Sequence, residues 1–182
     1  IGIYPGLGGT QRTVRICGVE AARWAVLAGN FVDCKTAHAL GILTHLVDPA
    51  EVTGTVDQIS SDGKPANKYP GVPLDSQHPI AVFSSSFYSN ENMSTLLAGS
   101  CPDGFDVEDR NVSRQLKSLS RTAPIALRLA SELLDSAVAT GDDLDAGLEL
   151  ELSNLEDIFG TSDALEGLSA LIEGRRPTYT NG

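Results

Sequence analysis

The sequence has no apolar run long enough to cross a membrane and no secretory leader with a basic start and an apolar core. The expected location is therefore the cytoplasm, or an organelle matrix in a eukaryote. Cations are scarce: 13 Lys and Arg stand against 24 Asp and Glu, a formal charge of -11. That balance argues against nucleic-acid binding, which needs a basic footprint, and against docking on anionic membranes. Any anionic ligand must be held by local cations or backbone N–H groups against an unfavourable net field. Cysteine is limited to Cys17, Cys34 and Cys101, with no Cys-x-x-Cys pair and no Cys/His metal spacing. These read as reduced thiols of an intracellular protein, and no metal is expected. Neither GxxxxGK[ST] nor GxGxxG occurs, so there is no phosphate loop or dinucleotide fingerprint. The one methionine is Met93. Ile1 to Arg12 reads as a strand end, a Pro-Gly turn, a double glycine and a first helical turn, so the chain is expected to begin inside a domain.

What is present falls into three textures. Residues 1–52 read as small helices around short extended pieces. Gly8-Gly9-Thr10 opens a helix ending near Gly18, Val19–Leu27 forms a second, Lys35–Leu40 a third, and Ile42–Val47 is an apolar, β-branched run expected as a strand. Residues 53–118 carry Pro65, Pro70, Pro73, Pro79 and Pro102 and read mostly as loop. Ile80–Phe83 could be a strand and Met93–Leu97 a short helix. Residues 119–182 read as strongly helical. Thr122 can cap a helix with Pro124 in its first turn and Ile125, Leu129 and Leu133 on one face. Leu144, Leu148, Leu152, Leu155 and Phe159 mark a second helix, whose acidic outer face reads as solvated surface. Asp163 with Glu166 resembles a capping box for a third helix.

The residues that could carry chemistry are few. A Pro-Gly-x-Gly-Gly turn feeding a helix lets backbone approach a ligand and aims N–H groups at a polar atom; it also serves as a plain tight turn. His38, His45 and His78 pair with no Ser or Cys at a recognisable spacing, and Trp24 reads as core. Asp142, Asp143 and Asp145 precede a helix, where acids complement the dipole. Glu91, Asp103, Asp106, Glu108 and Asp109 could supply an acid if the middle segment folds over a pocket.

The stretch GIYPGLGGTQRTVRICG resembles the crotonase (enoyl-CoA hydratase/isomerase) superfamily, whose members carry G-x-x-P-G-x-G-G-T-Q-R. VLAGNFVDCKTAHALGILTHLVDPAEV and LELELSNLEDIFGTSDALEGLSALIEGRRPTY are similar to the family's following helix–strand pattern and its closing helices. The resemblance covers about residues 1–52 and 120–180; the middle reads as an insertion. It implies an α/β class, mostly helical in this chain: the end of a ββα spiral core in residues 1–52, the insertion in 53–118, and a helical trimerisation region in 119–182. It implies an enzyme of acyl-CoA and fatty acid metabolism, a lyase or isomerase, with a CoA thioester as substrate and no cofactor. The catalytic acids would lie upstream of Ile1, one of them three residues before it, leaving no catalytic residue in this chain and no turnover alone. Tyr4, Pro5, Gly6 and Leu7 would bind substrate, the Gly6 N–H facing the water or acyl chain. Gly6 stands where related hydrolases carry Asp, which favours hydratase chemistry. Arg175 and Arg176 would contact the CoA phosphates, or form a solvated pair. Expected partners are the N-terminal half of the same protein and further copies, as a trimer or dimer of trimers. A crotonase-like hydrolase or decarboxylase, and a non-catalytic assembly module, are the alternatives.

Overall fold

The computed structural model describes residues 1–63 and 75–182; Pro65, Pro70 and Pro73 of the expected loop lie outside them. The described residues form helices α1 (Gly9–Cys17), α2 (Val19–Val26), α3 (Cys34–Ala39), α4 (Val52–Asp62), α5 (Pro79–Phe87), α6 (Asn90–Leu97), α7 (Arg110–Leu119), α8 (Pro124–Ala139), α9 (Leu144–Ser153), α10 (Leu155–Phe159) and α11 (Ser162–Glu173). A short 3-10 turn, Pro49–Glu51, precedes α4.

No strand occurs among the described residues: the mostly helical character expected of this chain is found, and the α/β part of the expectation, a ββα core end in residues 1–52, is not seen. Ile1–Tyr4 and Ile42–Val47 are irregular. A strand needs a neighbour for its backbone N–H and C=O groups, and none lies beside Ile42–Val47 among the described residues; Ile42, Leu43, Leu46 and Val47 remain exposed. Ile80–Phe83 is helical instead. His78 caps α5, its Nδ1 accepting the Ile80 N–H at 3.3 Å, and Pro79 stands at the first helical position. A short apolar run cannot be assigned by periodicity alone, and here capping chemistry decides.

The expected middle loop is largely helix. α5, α6 and α7 place Phe87, Tyr88, Met93, Leu96, Val112 and Leu119 in the same core as Ala21, Trp24, Leu127 and Leu134. Phe87 stacks on Phe83 at 5.0 Å between ring centroids and meets Phe105 edge-on at 4.9 Å. Polar ties reinforce this packing. The buried Arg23 guanidinium donates to Tyr88 O (2.9 Å), Asn90 Oδ1 (2.8 Å) and Asp135 Oδ1 (2.6 Å). The Tyr88 hydroxyl donates to Gln115 Oε1, which also accepts from Asn30. α8 is central, with α1, α2 and α9 packed around it. Its buried face, Ala126, Leu127, Ala130, Leu133, Leu134 and Ala137, follows helical spacing.

The C-terminal helices differ from expectation at their ends. The residue before α8 is Ala123 rather than Thr122, and the Leu144–Phe159 helix is divided at Asn154 into α9 and α10. α11 is capped by Thr161, whose Oγ1 accepts the Ala164 N–H at 3.0 Å. Asp163 is therefore no cap. Its carboxylate accepts the N–H groups of Thr180 (2.7 Å) and Asn181 (3.0 Å), binding the C-terminal tail across α11. The chain start packs on the same helix: a Cβ on Gly167 would collide with Ile1, and one on Gly2 with the Asp163 carbonyl.

Candidate functional site

The turn Tyr4–Gly8 is where chain geometry departs most from the ordinary. Leu7 has φ 57°, in the left-handed region that L-residues other than glycine seldom occupy, and is 99% exposed. Gly8 follows at φ 80°, and a Cβ there would strike the Arg12 guanidinium. The strained pair is held from both sides. Arg12 Nη1 donates to Leu7 O at 2.5 Å, and Gly8 N–H donates to Glu151 Oε1 at 2.5 Å.

Glu151 is the centre of the arrangement. Its side chain is buried, the residue being 2% exposed, and its other carboxylate oxygen accepts from Thr10 N (3.2 Å) and Thr10 Oγ1 (2.5 Å). The carboxylate sits at the N-terminus of α1, where the open N–H groups and the helix dipole favour negative charge. The main-chain oxygen of Glu151 accepts the Tyr4 hydroxyl at 2.7 Å, so one residue of α9 grips the turn at both ends. Burial, then the negative charges of Glu151 and Asp157, push the Tyr4 phenol above its ordinary value.

The rest of the T-Q-R run is also structural. Gln11, fully buried, donates from Nε2 to Leu133 O at 2.9 Å and to Thr10 Oγ1 at 3.2 Å. Arg15 reaches Thr140 Oγ1 (2.9 Å) and Asp143 O (3.1 Å) at the α8–α9 turn. Gly147 lets α9 lie this close to α1, because a Cβ there would meet Gln11 Oε1. The anion seat made by the glycine-rich turn is thus filled by the protein's own carboxylate. What stays open is its outer edge. Pro5 and Leu7 are exposed, nothing lies within 4 Å of a Cβ built on Gly6, and the N–H groups of Gly6 and Leu7 make no hydrogen bond among the described residues.

The other candidates are scattered. Arg175 is committed: Nη1 and Nη2 grip Glu166 at 2.6 and 2.8 Å, and Nε meets Glu173 at 2.5 Å. That guanidinium, with the Thr178 N–H, holds the Glu166 carboxyl down to about 2. Arg176 is exposed beside it. His45 Nδ1 lies 2.9 Å from Thr44 Oγ1, His78 caps α5, and His38 is half-buried on α3. Trp24 is core. Asp143 caps α9 through the Ala146 N–H. Of the middle-segment acids, Asp109 caps α7 through Asn111 and Val112, Asp106 accepts from Glu108, and none hydrogen-bonds to the Tyr4–Gly8 turn. Cys17, Cys34 and Cys101 are free thiols. No described helix is long and apolar enough to cross a membrane.

Glu151 was not singled out by sequence reasoning, which assigned the acids of this helix to solvent. A signal was available. At 100° per residue Glu151 falls about 20° from Leu144, at the edge of the arc of Leu144, Leu148 and Leu155, an acid bordering the apolar stripe rather than opposite it.

The chain is similar to curated enoyl-CoA hydratases. It is 22% identical over 180 residues to the probable mitochondrial enoyl-CoA hydratase 2 of Arabidopsis thaliana, covering 99% of this chain and 40% of that protein. It is 31% identical over 93 residues to the short-chain-enoyl-CoA hydratase of Clostridium acetobutylicum, covering 51% of this chain and 31% of that protein. It is 36% identical over 62 residues to the peroxisomal fatty acid β-oxidation multifunctional protein MFP2 of Arabidopsis thaliana, covering 34% of this chain and 9% of that protein. The chain thus spans 40% or less of the length of these three relatives. No protein-family model matches it, and no solved structure does so significantly. The glycine-rich turn, the T-Q-R anchors and these relatives together liken the chain to the enoyl-CoA hydratase/isomerase (crotonase) superfamily.

Proposed function

We propose that this chain is the C-terminal portion of an enoyl-CoA hydratase/isomerase-type enzyme, acting on acyl-CoA thioesters through an enolate-like state. In this reading residues 1–52 end the catalytic core, 53–118 are an insertion, and 119–182 form the oligomerisation region. The observation that carries it is the match to a probable enoyl-CoA hydratase along 99% of the chain and only 40% of that relative. Pro5, Gly6 and Leu7 form one wall of the acyl pocket; Tyr4, expected there, is buried and stands behind the wall with Glu151. The proton transfers at water and α-carbon belong to carboxylates outside these 182 residues, so the chain alone turns nothing over.

The exposed apolar faces support partners of the same protein. On α11, Leu165, Leu171 and Ile172 are exposed, the last by 86%; on α4, Val52, Val56 and Ile59 are exposed. Contiguous apolar surface of this kind marks an interface. In this reading the α11 face meets other copies, and the Ile42–Ile59 stretch meets the rest of the core.

Crotonyl-CoA hydration, followed by loss of the enoyl absorbance, tests the reading on this chain and on one extended upstream to a natural Met. Activity confined to the longer chain supports it. Activity in the 182 residues places an acid among them, and silence in both shifts weight to a hydrolase or assembly role.

A further inference from the structure

The acidic chain and its proposed anionic substrate pose a problem of charge. A CoA thioester carries several phosphate charges, while this chain is at -11. Arg175 is spent on Glu166 and Glu173. Other arginines are engaged as well: Arg12 on Leu7, Arg15 on Thr140, Arg23 on Asp135 and Arg128 on Glu132.

One concentration of cations is unspent. Four of the thirteen Lys and Arg fall between positions 110 and 121. Arg110, Arg114 and Lys117 lie on α7 at spacings of four and three, within about 60° of arc. All three are exposed, and no carboxylate among the described residues comes within ion-pair distance of them. Residues 64–74 contain no Asp or Glu that could pair with them. Val112, Gln115 and Leu119 bury the opposite face, so the helix is fixed with its basic side outward. An open hollow of about 660 Å³ runs along that side, lined by Asp109, Arg110, Asn111, Ser113, Arg114 and Lys117. Asn111 and Ser113 add neutral donors. The Asp109 carboxylate at the rim is turned to the helix start, its Oδ1 accepting two backbone N–H groups.

We propose that the outer face of α7 is a binding site for an anion carrying two or more phosphate groups. Arg110 and Arg114 are spaced to take separate phosphates, since guanidinium forks pair with phosphate oxygens, and Lys117 adds a point charge. The source is either the nucleotide handle of a CoA thioester, which rests on the function proposed above, or free polyphosphate.

Calorimetric titration at low salt with adenosine 3′,5′-bisphosphate, and separately with inorganic pyrophosphate, tests this. Exposed charge contacts are each worth roughly two- to five-fold in affinity, so R110E/R114E/K117E should weaken binding at least about ten-fold. K35E/R128E/S60D/S61D makes the same charge change at exposed positions elsewhere and should alter it less than about two-fold. R110Q/R114Q/K117Q replaces the first variant should that fail to fold. Tighter binding of the nucleotide than of pyrophosphate identifies a nucleotide handle; equal binding identifies free phosphate. Equal weakening by both charge reversals, or no saturable binding by the unmodified chain, overturns the site. If the α7 reversal abolishes binding while no extended chain hydrates crotonyl-CoA, this site stands and the hydratase reading falls. If hydration is seen and neither probe binds, the reverse holds.

Discussion

Replacing Glu151 should be the most damaging polar substitution in the chain. Glu151→Ala strips the acceptor from three groups, Gly8 N, Thr10 N and Thr10 Oγ1, and opens a cavity beneath the turn. A buried donor left unpaired costs about 1–3 kcal/mol, and the three share one carboxylate, so their losses do not add in full. Loss of a helix N-cap alone costs about 1 kcal/mol. Burying the carboxylate carries its own desolvation cost, which its removal returns. The expected net loss is about 3–5 kcal/mol, comparable to breaking a buried charged pair. That is a large part of the roughly 5–15 kcal/mol that holds a domain folded. Glu151→Gln keeps one acceptor oxygen but turns an NH2 toward a donor, and should lose about half as much. Urea unfolding followed by far-UV circular dichroism measures both. A loss below about 1 kcal/mol for Glu151→Ala would refute the reasoning, because the α1 N-terminus would then be satisfied without the carboxylate.

Three further outcomes follow from contacts already described. Gly54→Ala, in open space on α4, should gain about 0.5–1 kcal/mol from helix propensity, whereas Gly167→Ala on α11 should destabilise because its Cβ meets Ile1; thermal melts separate the two. Cys34 should react with a thiol reagent at once and Cys17 only on unfolding, since burial lifts the Cys17 thiol to about 12. Glu166 should titrate near 2 by carboxyl-carbon NMR, and Arg175→Ala should return it toward 4.5. Its folded value lies below the ordinary one, so whatever stability the pair supplies is complete above pH 4.5 and fades as pH falls toward 2.

Local periodicity and capping carried the helices. α8 was legible in its four-residue apolar spacing and in Pro124, and α1 and α2 in the glycines that bound them. Ile42–Val47 was misread because β-branched apolar residues state only that a strand is permitted; pairing is a tertiary fact. Ile80–Phe83 is likewise apolar with β-branched residues, and there Pro79 and His78 settle for helix. Asp163 met the spacing of a capping box, but Thr161, two residues earlier, takes the cap and frees Asp163 for the tail. At the candidate site the glycine turn was legible as a seat for a polar atom. That the atom belongs to Glu151, 143 positions away from Gly8 in sequence, depends on α9 crossing α1 at Gly147, which no local pattern states.

Backbone amide hydrogen exchange at the opening turn tests the account most directly. With Glu151 seated, Gly8 and Thr10 should be strongly protected while neighbouring Gly6 and Leu7 exchange near the rate of free peptide, and acyl-CoA added to the extended protein should protect the latter pair alone. Fast exchange at Gly8 and Thr10 would contradict it, since the turn would then be neither held by Glu151 nor preset to face an acyl chain.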